Sequence, residues 1–151
     1  MPPSSTAAQP VPWGRAIVDP LRIALFSRHA RQAWAALLLA LVGLVLWQAL
    51  TPNPRGPSLG WDKANHAVAF AVLAFCAMFA LRQAARPAAL VAVLLTALGV
   101  FIEVAQAHVP GRSGEPMDVL ADVAGIAIGA VAAGLLARAL ERRRSRRLRT
   151  S

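Results

Sequence analysis

The chain has 151 residues, of which 57% are hydrophobic and 15% charged. Its mean hydropathy of +0.52 is too apolar for a small soluble domain, which must cover its surface with polar groups. The formal net charge of +9 raises nucleic acid as a partner, but the basic residues lie almost wholly at the chain ends and no nucleic-acid reading module accompanies them, so a bilayer is the expected partner.

Residues 1–32 read as a basic N-terminal segment, Pro- and Ser-rich at first and expected to be disordered there. After Asp19-Pro20, "LRIALFSRHARQ" fits a short basic amphipathic helix lying on an anionic leaflet. The first long apolar run, "WAALLLALVGLVLWQAL" at 34–50, is about 26 Å long at helical rise, enough for one crossing. Trp34 and Trp47 near its ends suit the two interfacial belts. Its length and the long segment before it argue against a cleaved signal peptide. Further spans are expected at about 64–81, 88–107 and 117–137, separated by "RQAARP" and "HVPGRSGEP". Such breaks are too short for a domain. The expected fold is therefore all-α: a polytopic four-helix membrane bundle over 33–137, followed by a basic tail at 138–151. The single cysteine, Cys76, precludes an internal disulfide and is expected, like Met78, to serve only packing.

Basic residues set the expected orientation. Arg15, Arg22, Arg28, Arg31, Arg82, Arg86 and seven arginines from Arg138 to Arg149 lie on one side, and Arg55, Lys63 and Arg112 on the other, a split of 13 to 3. Both termini are then cytoplasmic in a multi-pass protein of the inner membrane, and the C-terminal arginines fix topology and touch anionic headgroups.

In that topology the polar residues of the spans gather on the outer side: Asp62, Lys63, Asn65 and His66, then Glu103 and Gln106 with His108 and Arg112 beyond, then Asp118 and Asp122. Asp62 and His66, Glu103 and Gln106, and Asp118 and Asp122 are three or four residues apart, so each pair shares a helix face. Gly125 and Gly129 continue the last stripe with GxxxG spacing, which lets a neighbouring backbone approach. Simpler roles exist for several of these residues. Asp62 and Asp118 suit helix N-termini, Lys63 can snorkel to the headgroups, His66 can be a satisfied structural histidine, and Trp61 can anchor at the interface. Glu103 resists such a role. It lies near the C-terminal end of its span, where the helix dipole opposes a carboxylate and hydrocarbon penalises the charge by up to roughly 3 kcal/mol. A cation such as Arg112, Lys63 or protonated His66, or a proton, must compensate it.

"DKANHAVAF", "EVAQAHVPGR" and "DVLADVAGIAIG" together resemble the signatures of the VanZ-like membrane proteins, a family named for a protein associated with low-level teicoplanin resistance. The matching positions are Asp62, Lys63, His66, Phe70, Glu103, Gln106, Arg112, Asp118, Gly125 and Gly129; Asp122 departs, since asparagine is common there. The resemblance implies a membrane protein without assigning it a reaction. From the residue types, Asp62, His66, Glu103 and Asp118 are candidate acid, base or catalytic groups, and Lys63, Gln106, Arg112 and Asp122 candidate ligand contacts. The expected function is to bind or act on a cell-envelope lipid, glycan precursor or glycopeptide-related ligand. The alternative is an accessory protein whose charges lock the bundle or bind a partner protein. A transporter is disfavoured because no polar route continues through the other half of the spans. The sequence shows no nucleophile motif and no metal signature, so no metal is expected, and it names no cofactor and no oligomeric state.

Overall fold

The computed structural model describes residues 25–52, 62–82, 84, 86–112 and 114–147. They form four helices: α1 Arg28–Leu50, α2 Asp62–Ala80, α3 Pro87–Gln106 and α4 Pro116–Arg147, with no strand among the described residues. All four are long and apolar enough to cross a membrane. The amphipathic helix expected after Pro20 lies partly outside the described residues; Arg28 to Arg31 within it open α1. Trp61 and Arg55 also lie outside them.

Local chemistry sets the helix ends. The Ser27 side chain accepts the Ala30 N–H at 3.1 Å, an N-cap that satisfies one free amide of α1. Pro87 and Pro116 stand first in α3 and α4, where a missing N–H costs nothing. After α3 the chain turns through Pro110 and Gly111, whose φ of 78° is open to glycine without strain. α4 has 32 residues, about 48 Å at helical rise, so it outruns the hydrocarbon and carries its arginines beyond it.

Helix α2 packs on all three others, most extensively on α4. Small residues make that contact possible: a Cβ at Gly125 would strike the Ala67 carbonyl oxygen, and one at Gly129 that of Ala71. The core joins Phe70, Leu73, Ala74 and Ala77 of α2 to Val91, Leu95 and Ile102 of α3 and Ile126 of α4. Cys76 on α2 is also buried. α1 is peripheral, with only Ala30 buried. Trp34 faces the protein, stacking on Phe79 with centroids 5.1 Å apart, whereas Trp47 is exposed. Leu39, Val93 and Ile128 are 72%, 67% and 62% exposed; a bilayer accommodates such an apolar exterior, which water penalises.

The helices alternate in direction. The end of α1, the start of α2, the end of α3 and the start of α4 therefore meet at one end of the bundle, as the contacts of Gln106, Arg112, Lys63 and His66 show. At the other end Arg82 pairs with Glu141 at 3.2 Å and lies 4.0 Å over the Phe26 ring.

Candidate functional site

Nearly all the ionisable side chains singled out in the sequence converge at the first of these ends. His66 stands at the centre, its side chain 11% exposed. Its Nδ1 lies 2.9 Å from Asp122 Oδ1 on α4. With an ionised carboxylate as partner, Nδ1 donates and the lone pair is left on Nε2. Nε2 faces Glu103 Oε1 on α3 at 3.9 Å, too far for a direct hydrogen bond.

Asp122 is fully buried, and α3 makes room for it at Gly99, where a Cβ would collide with Asp122 Oδ2. Glu103 finds a partner that the sequence does not display. Gly114 lies against the Glu103 backbone, and this close approach aims the Glu115 N–H at Glu103 Oε2, 2.7 Å away. Glu103 Oε1 and Asp122 Oδ2 are buried without a hydrogen-bond partner, although buried polar atoms nearly always have one.

Lys63 does more than reach for headgroups. Its Nζ lies 2.8 Å from Glu115 Oε2 and 3.3 Å from Asp118 Oδ1, joining α2 to the approach and first turn of α4. The Lys63 ammonium in turn holds the Glu115 carboxyl below the usual glutamate range. Arg112 is not the partner of Glu103: its Nη2 donates to the Gln48 carbonyl at 2.7 Å. Gln106 donates to the Ala49 carbonyl at 3.2 Å. Both side chains thus bind carbonyls at the end of α1, where free acceptors and the negative dipole end favour donors and cations. His108 lies outside the cluster, its Nδ1 2.8 Å from the Val104 carbonyl. Asp62 stands in the first turn of α2, exposed at the rim. One donor atom each from Asp62, His66 and Asp118 lies within 4.8 Å of the others, an arrangement that could hold a metal ion.

Glu115, Gly99 and the α1 carbonyls are the participants that sequence reasoning missed. "EPMD" shows an acidic residue beside a helix start, but nothing in the sequence selects one backbone carbonyl as the target of Arg112.

Four membrane-length helices with an ionisable cluster built by three of them at one end define a multi-pass helical membrane protein. Within that class the chain belongs to the VanZ/LLP1 family, whose model matches residues 24–137. No curated protein and no solved structure matches it.

Proposed function

We propose that the cluster is a binding or reaction site for a cell-envelope lipid or lipid-linked glycan precursor, at headgroup level on the extracytoplasmic side, with His66 as its central group. One observation carries this reading: the imidazole is oriented from behind by the buried Asp122 at 2.9 Å, while its other nitrogen faces a carboxylate oxygen with no partner of its own. A positioned imidazole between two carboxylates from different helices is suited to accepting or delivering a proton on a ligand hydroxyl or water. Lys63 and Glu115 form the solvent-facing rim. Lys63, at this rim, and Arg112, whose Nε has no partner although its Nη2 donates to Gln48, are the described cations that could meet an anionic headgroup. The extracytoplasmic placement rests on the distribution of basic residues along the chain.

A second reading, that the charges only lock the bundle, is favoured by the way Lys63, Gln106 and Arg112 tie helix ends together. The two readings separate in cells carrying His66→Ala or Glu103→Gln. Normal abundance in the membrane with a lost envelope or drug-susceptibility phenotype supports a site; loss of the folded protein in both supports locking. Incubating the purified chain with total lipid extract and following headgroup masses divides reaction from binding, and an extract in which no lipid is either converted or retained refutes the proposal.

A further inference from the structure

The carboxylates at this end outnumber the cations. Asp62, Glu103, Glu115, Asp118 and Asp122 surround Lys63 and His66, while Arg112 is directed to α1. Buried like charges repel strongly unless a cation or a proton joins them. We propose that Asp62, His66 and Asp118 bind a divalent transition-metal ion, Zn²⁺ foremost.

Three observations point to it independently. The donor atoms lie within 4.8 Å of one another. Tetrahedral bonds of about 2.0–2.2 Å hold ligand atoms roughly 3.4 Å apart, so the donor atoms must close by up to about 1.4 Å, a movement that exposed Asp62 can supply by rotating its side chain. Asp118 is 1% exposed, and the one group near its Oδ1 is the Lys63 ammonium at 3.3 Å, which lies closer to Glu115, while Glu103 Oε1 beside His66 is buried with no hydrogen-bond partner. Behind His66, buried Asp122 takes the Nδ1–H, the kind of outer-shell partner that fixes the tautomer of metal-ligating histidines and leaves the other nitrogen with a lone pair to bind an ion.

The mixed donor set favours Zn²⁺ over Mg²⁺ or Ca²⁺, whose preferred ligands are all oxygen. Three protein ligands leave a coordination position open. Glu103 Oε1, buried, unpartnered and 3.9 Å from His66 Nε2, faces the same nitrogen and can complete the shell or hold a bound water. Lys63 opposes the ion through its 3.3 Å approach to Asp118, but its closer contact is to Glu115 at 2.8 Å, where it can remain. The inference shares the orientation of His66 with the function proposed above but requires no envelope ligand; a metal-free cluster would leave that function standing.

The test uses the full chain, purified in detergent, stripped with chelator and titrated with Zn²⁺ by calorimetry, with bound metal counted. One ion per chain is expected, and X-ray absorption of the loaded protein should show one imidazole nitrogen among oxygen donors. His66→Ala and Asp118→Asn should each weaken binding at least about tenfold, and Asp122→Asn about 10–100-fold through His66. Lys63→Met should tighten it, and His108→Ala should leave it unchanged. Absence of a stoichiometric ion in the folded wild type, a spectrum without imidazole, or an affinity indifferent to Asp118→Asn overturns the proposal. If His66→Ala does not fold, the wild-type spectrum together with Asp118→Asn decides.

Discussion

Replacing Gly125 by alanine tests how the helix contact supports the site. The new Cβ would overlap the Ala67 carbonyl oxygen and lie 2.9 Å from its carbon and 3.0 Å from Ala67 Cα, whereas carbon atoms settle at about 3.5–4.0 Å. Backbone cannot rotate aside as a side chain can, so α2 and α4 must separate locally by roughly 1 Å. Ala67 follows His66 directly, and Gly125 lies one turn past Asp122. A shift of that size lengthens the 2.9 Å contact between His66 and Asp122 beyond hydrogen-bonding range. Overpacking costs about 1–3 kcal/mol, and a buried acceptor left unpaired about 1–3 kcal/mol more. Thermal unfolding in detergent measures the loss, and ¹⁵N NMR of the His66 ring reports whether Nδ1 still donates. Gly129→Ala meets an equivalent obstacle at Ala71 a turn farther from the site, so it should lower stability while disturbing the imidazole less. Because one displacement relieves both clashes, the double variant should cost less than the sum. A Gly125→Ala protein with the wild-type midpoint and an unchanged His66 spectrum would refute the reasoning.

Glu103→Gln keeps an acceptor for the Glu115 N–H and should fold with stability within about 1 kcal/mol of wild type, whereas Glu103→Ala orphans that donor and opens a cavity, costing about 1–3 kcal/mol in denaturant titration. Arg112→Ala removes the charged donor to Gln48 and should cost about 1.5–3 kcal/mol, with faster hydrogen exchange at the end of α1. The Lys63–Glu115 pair sets a pH dependence. Since Glu115 titrates below its ordinary value in the folded chain, its stabilisation is present above the unfolded glutamate pKa of about 4.3 and is lost as pH falls through the lower folded value. Lys63→Met should flatten that acid-side slope in a series of thermal midpoints. The effect is small because both side chains are open to solvent.

The four helices and their family were legible in the sequence because hydropathy summed over a crossing length is a local property, and so is the i, i+4 spacing that puts Asp118 and Asp122, or Asp62 and His66, on one face. The convergence of those faces followed once alternating helices were assumed. Pairing across helices was not legible. Arg112 stood as an equally good partner for Glu103, yet it binds Gln48, and Glu103 takes a backbone N–H from a turn held close by Gly114. The seating of Asp122 against Gly99 and the gathering of Asp62, His66 and Asp118 around one point have the same origin. They depend on the axial register and rotation of α2, α3 and α4, fixed by where their small residues let backbones touch. Spacing within a helix is set by its own geometry, whereas distance between helices exists only after packing has chosen the register.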